Sequence, residues 1–102
     1  MAFDAQRLLD WRFPELEHTY TDKDTILYAL GVGCGADPAE PGELKFVYEK
    51  NLVALPTMAV VVAYPGFWLG DTATGVNAAK VLHGEQGLEL HRPLPAAGTI
   101  IG

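Results

Sequence analysis

Between Val81 and Gly98 the alternation of apolar and polar positions starts, runs and breaks off in a way that predicts three elements. At a period of two, Leu82, Gly84, Gln86, Leu88 and Leu90 share one side, while His83, Glu85, Gly87, Glu89 and His91 share the other. One face is mainly apolar and the other ionisable, which is the pattern of a half-buried strand. Arg92-Pro93-Leu94-Pro95 ends it, because proline has no N–H to give to a sheet ladder. Ala96-Ala97-Gly98 then predicts a turn, and Thr99-Ile100-Ile101 the first residues of a returning strand.

Upstream the pattern is of mixed period. Phe3, Leu8, Leu9 and Trp11 fall loosely on one helical face, and Phe13 to Tyr20 alternates in part, as an extended segment entering a fold does. Thr21 and Asp24 form a capping-box-like T-x-x-D start, with Asp22 and Asp24 at the positive end of the helix dipole. Ile26, Leu27 and Leu30 are the predicted buried stripe of that helix, and Gly31 and Gly33 its stop. Gly35 to Gly42 packs two prolines and two glycines and is a loop. Leu44 to Tyr48 predicts a short strand. Asn51 to Ala63 fits either a buried strand or a short helix with Pro56 in its first turn. Phe67 to Gly75 reads as a Gly-rich loop, and Val76 to Lys80 leads into the alternating run.

Length and charge narrow the possible classes. With 102 residues, 49% of them hydrophobic, the chain is at most one globular domain. No apolar run reaches the length of a membrane span, since Met58 to Ala63 is closed by Tyr64-Pro65-Gly66. Asp4 and Asp10 interrupt the N-terminal apolar residues, a composition that predicts no secretory signal. The formal net charge is −6 and the seven Lys and Arg are scattered, which argues against nucleic acid as a partner. A single local cation would still suffice for an anionic coenzyme. Cys34 is the only cysteine, so no internal disulfide forms and a reducing compartment is compatible.

Two motifs carry possible chemistry. Gly31-Val32-Gly33-Cys34-Gly35-Ala36 fits a dinucleotide fingerprint in its letters. That fingerprint works between a strand and a following helix, whereas here a predicted helix precedes and a Pro-rich loop follows, so it reads as a helix stop with an inert thiol beside it. His83, Glu85, Glu89 and His91 on one strand face have the residue types of a metal cluster or an acid/base pair. On the residues alone, a solvated face is the better reading.

Four ordered blocks carry a more specific signal: Tyr20 to Gly33 (YTDKDTILYALGVG), Leu44 to Glu49 (LKFVYE), Leu55 to Val60 (LPTMAV), and Leu82 to Pro95 with its LHGEQ, LEL and PLP pieces. Together they resemble the N-terminal half of the MaoC-like (R)-specific enoyl-CoA hydratases, the type-2 hydratases also found as a unit of peroxisomal multifunctional beta-oxidation enzymes. Gly87 departs from the pattern, standing where the family usually has a bulkier residue.

The resemblance implies an α+β chain with a partial hot-dog fold, the N-terminal part of a double hot dog. In that fold a curved antiparallel sheet wraps a helix that the N-terminal half has lost or shortened. Residues 1–19 are then a lead-in and 20–102 an incomplete N-terminal hot-dog domain, part of a longer enzyme. In the family the His-Gly of this motif lines the acyl-CoA site, so the resemblance implies His83 and Gly84 as substrate-binding residues. A glycine lets a thioester or pantetheine arm approach the backbone, and a histidine can donate a hydrogen bond. The family's catalytic Asp and His lie in a motif resembling D-x-N-P-x-H on the C-terminal half. No such motif occurs here: Asp71 and His83 are too far apart, and Asn77 is not followed by proline. The resemblance therefore assigns no catalytic residue and no cofactor to this chain. It implies an acyl-CoA thioester ligand, a C-terminal catalytic half and a homodimer as partners, and a peroxisomal location in a eukaryote or a cytoplasmic one in a bacterium. A non-catalytic acyl-thioester-binding or dimerisation subunit is the alternative, and a structural module without ligand the third reading.

Overall fold

The computed structural model describes residues 4–102; Phe3, placed by the sequence on the first helical face, lies outside the described residues. The short helix expected there forms as α1 (Ala5–Leu9), capped by the Asp4 carboxylate, which accepts the Gln6 N–H at 3.0 Å. Beyond it Trp11 and Phe13 stack against Trp68, with ring centroids 5.8 and 5.0 Å away, Phe13 meeting Trp68 edge to face. Such pairs fasten the lead-in to the middle of the chain.

The extended segment becomes β1 (Glu17–Tyr20), which leads directly into α2 (Asp22–Gly31). The Asp24 carboxylate accepts the Thr21 N–H at 2.8 Å, so the T-x-x-D start satisfies a backbone donor as expected. The helix stops where the glycines stand, with Gly33 in the left-handed region at φ 101°.

Its buried stripe differs from the expected one. Thr25 and Ala29 are the buried residues, Ile26 is half-buried, and Leu27 and Leu30 are exposed, Leu27 by 64%. The reason lies in what docks on the helix. The Thr25 hydroxyl donates to the Ala96 carbonyl at 2.6 Å, and a small residue one turn later leaves room for that segment to approach.

The returning strand forms as β2 (Gly98–Ile101), but its partner is β1 and not the alternating run. The two pair antiparallel, Glu17 opposite Ile101 and Tyr20 opposite Gly98. Leu16 and Gly102 extend the ladder with two further backbone bonds. The Tyr20 hydroxyl donates to the Pro95 carbonyl, so Tyr20 and Thr25 together hold consecutive carbonyls and bring the chain back onto β1.

The strand expected over Val81 to Leu90 is therefore absent. Residues 81–89 have no regular secondary structure and are exposed, Leu82 by 91%, and no strand pairs with them among the described residues. Alternation makes a strand only where a partner's N–H and C=O groups lie alongside, and the path set by the Tyr20 and Thr25 contacts lays neither strand against residues 81–89. The apolar side does not come together either: Leu82 lies with Val60 and Val61, Leu90 with Leu94 and Ile100.

A second correction concerns Leu44 to Tyr48. A 3-10 turn (Pro41–Glu43) runs into α3 (Leu44–Val47) in place of a strand. Pro41 sets the first φ, the Glu40 carboxylate accepts the Gly42 N–H at 2.9 Å, and a capped, proline-led start outweighs the β-preference of Phe46 and Val47. Glu43 ties the turn back by accepting the Gly35 N–H at 2.8 Å.

Of the two readings of Asn51 to Ala63, the helical one holds in shortened form. A 3-10 helix spans Pro56–Val60 with Pro56 in its first turn, and its Met58 is buried against Tyr20 and Ala54. Tyr28, Val62, Leu94 and Ile100 surround this core. The loop from Phe67 to Gly75 contains two 3-10 turns, Trp68–Gly70 and Thr72–Thr74, and a third spans Ala78–Lys80.

The chain is α+β, with a two-stranded antiparallel sheet and short helices as the part of the hot dog it builds. It is elongated, 54 × 26 × 21 Å, with a radius of gyration of 17.2 Å. A compact domain of this length has about 13 Å.

Burial pushes the Tyr20 phenol above its ordinary pKa. The neutral phenol donates to Pro95, so the folded state holds this proton more tightly than the unfolded chain does. Its contribution to stability is complete below the ordinary tyrosine pKa of about 10 and is lost as pH rises through the folded value. Tyr20→Phe is expected to cost about 1 kcal/mol and to remove that alkaline loss. Urea midpoints measured at neutral and alkaline pH check this; an unchanged alkaline loss in the variant would assign it elsewhere.

Candidate functional site

The segment that the sequence reads as a strand forms one bank of a groove. Val81, Leu82, His83, Gly84, Glu85 and Gln86 face a cavity of about 690 Å³ whose other bank is Val60, Val61, Tyr64, Phe67, Trp68 and Leu69. His83 and Gly84, the two residues singled out as substrate-binding, thus lie side by side in one groove. The opposite bank was not foreseen. The aromatic and aliphatic cluster Phe67-Trp68-Leu69, too apolar for an ordinary surface loop, was the available signal.

Two features of this groove are chemically useful. Gly84 leaves its backbone bare: a Cβ built there meets no atom within 4 Å. The fold itself does not require a glycine at that point. Gly87 is equally open to a Cβ. Across from the backbone, the apolar bank is suited by its chemistry to an apolar ligand. His83 is exposed and able to donate a hydrogen bond to a polar group at the groove's edge. Lys80 ends the turn just before the groove, a cation close in sequence to its rim.

The remaining ionisable residues do not converge here as an acid/base pair. Glu89 and His91 approach each other at 3.8 Å with both side chains more than four-fifths exposed, as a solvated face does. Asp71 is occupied in structure, its carboxylate accepting the Ala73 N–H at 2.8 Å, and the Asn77 amide oxygen likewise accepts the Ala79 N–H at 3.2 Å. Among the described residues no group of three or more His, Cys, Asp or Glu is placed to hold a metal ion. The Gly31 to Ala36 run follows α2 and enters a loop, the arrangement of a helix stop. No helix among the described residues is long and apolar enough to cross a membrane.

Comparison with known proteins agrees with the four sequence blocks. The profile of the MFE-2 hydratase 2 N-terminal domain matches residues 18–102. Enoyl-CoA hydratase 2, peroxisomal, of Arabidopsis thaliana is 37% identical over 97% of this chain and 34% of its own length. Peroxisomal multifunctional enzyme type 2 of Mus musculus is 43% identical over 87% of this chain and 13% of its own. The 3-hydroxyacyl-thioester dehydratase Y of Mycobacterium tuberculosis is 44% identical over 79% of this chain and 27% of its own. The chain thus spans about a third or less of the length of these relatives. With the match extending from β1 through β2 and including the whole groove, the chain belongs to the MFE-2 hydratase 2 N-terminal domain family.

Proposed function

We propose that the chain is the acyl-CoA-binding, N-terminal part of an (R)-specific 2-enoyl-CoA hydratase, which reversibly converts trans-2-enoyl-CoA to (3R)-3-hydroxyacyl-CoA. The observation that carries this reading is the bare backbone at Gly84, set beside His83 in an apolar groove within the family match. The groove would hold the fatty acyl chain along the Val60 to Leu69 bank. Gly84 would admit the thioester or pantetheine arm, and His83 would hydrogen-bond to it. Hydration also needs a base to activate water, an acid to protonate the alpha carbon and donors for the enolate oxygen. Those come from a C-terminal half carrying D-x-N-P-x-H, and the assembled enzyme is a homodimer. In a eukaryote it is peroxisomal, as the names of two relatives have it for those proteins; in a bacterium it is cytoplasmic.

A second reading is a non-catalytic acyl-thioester-binding or dimerisation subunit. One assay separates the two. The 102-residue chain alone is expected to leave crotonyl-CoA at the buffer rate of hydration, while the protein read in frame through a D-x-N-P-x-H segment is expected to yield the (3R)-hydroxy product. Hydration by the chain alone, abolished by His83→Ala, would overturn the assignment of catalysis to another half. Binding without hydration by the longer protein would favour the second reading.

A further inference from the structure

The groove bank between Val60 and Leu69 turns at Ala63, and this turn is held by a side chain from the sheet. The Ala63 N–H donates to Nδ1 of His18 at 2.9 Å. An amide N–H donates, so Nδ1 is the acceptor in this contact. Ala63 has φ 54°, in the left-handed region that a residue with a Cβ occupies only where its surroundings hold it. Val61 and Tyr64, on either side of this turn, line both the cleft containing His18 and the groove containing His83 and Gly84.

We infer that His18 is a positioning residue for the acyl-thioester groove: by accepting the Ala63 N–H it fixes the Val61–Tyr64 bank. This rests on the proposed acyl-CoA-binding role of the groove. Without an acceptor at that nitrogen the left-handed turn at Ala63 loses a restraint.

Asparagine places Oδ1 one bond from Cγ, as histidine places Nδ1, so His18→Asn keeps the acceptor, whereas His18→Phe removes it. In the full-length protein, affinity for the saturated ligand decanoyl-CoA, measured by calorimetry, is expected to stay at the parent's value in His18→Asn and to fall about tenfold in His18→Phe. Nuclear magnetic resonance gives a readout free of ligand: the Ala63 amide shift should stay near the parent's in His18→Asn and move in His18→Phe. Equal affinity in the parent and His18→Phe, or an Ala63 amide indifferent to that substitution, overturns the inference. Failure of the parent to bind decanoyl-CoA while the Ala63 shift still responds to His18→Phe would instead overturn the acyl-CoA role and leave the coupling in place.

Discussion

Replacing Gly84 by valine in the full-length protein is expected to lower kcat/KM for an enoyl-CoA by about 100-fold, chiefly through KM, while Glu89→Gln changes it by less than about twofold. The contrast follows from where each residue stands. A Cβ at Gly84 meets nothing within 4 Å, and its backbone is not in the left-handed region, so the fold itself accepts a side chain's first carbon there. A thioester or pantetheine arm lying on that backbone, as proposed, would be displaced by more than the clearance of a close contact. Glu89 is exposed outside the groove, beside His91. Steady-state kinetics on both variants, with urea midpoints confirming unchanged stability, check the prediction. Equal effects on KM would remove Gly84 from the binding surface.

The isolated 102-residue chain is expected to self-associate or to pack loosely, in contrast to a compact full-length protein. Both strands of the sheet keep one edge unpaired among the described residues, and two strands alone are marginal in water. Val61, Tyr64, Phe67 and Leu82 stand exposed around one groove, and the elongated shape leaves the core around Tyr20, Ala54 and Met58 thinly covered. Sedimentation is expected to show mass rising with concentration, together with weak near-UV circular dichroism. A concentration-independent monomer with sharp aromatic bands would show that the segment is self-sufficient.

What the sequence made legible was mostly local. The cap at Thr21 and Asp24, the stop at Gly31 and Gly33, the position of Pro56 and the strand at Thr99 to Ile101 each follow from neighbours within a few residues, and each appears in the structure. Long-range choices were not legible. Val81 to Leu90 has the alternation of a strand, yet pairing was decided by Tyr20 and Thr25 capturing the carbonyls of Pro95 and Ala96, 75 and 71 residues away. Burial on α2 was decided by the same docking, which is why small Thr25 and Ala29 are inside and Leu27 outside. Leu44 to Val47 turned helical through capping by Glu40, a residue read only as part of a loop.

The site shows the same division. His83 and Gly84 were reached through family resemblance, and the groove that joins them to Phe67, Trp68 and Leu69 depends on the path of the chain between the two segments. His18 gave no signal in the sequence, because its partner is a backbone N–H 45 residues further on.

The central claim, that this groove receives the acyl thioester, is tested most directly by photo-crosslinking the full-length protein with a fatty acyl-CoA bearing a diazirine on its acyl chain and mapping the labelled peptides. Labelling within Val60 to Leu69 and Val81 to Gln86, competed away by unlabelled acyl-CoA, is the expected result. Competed labelling confined to other parts of the protein would contradict it.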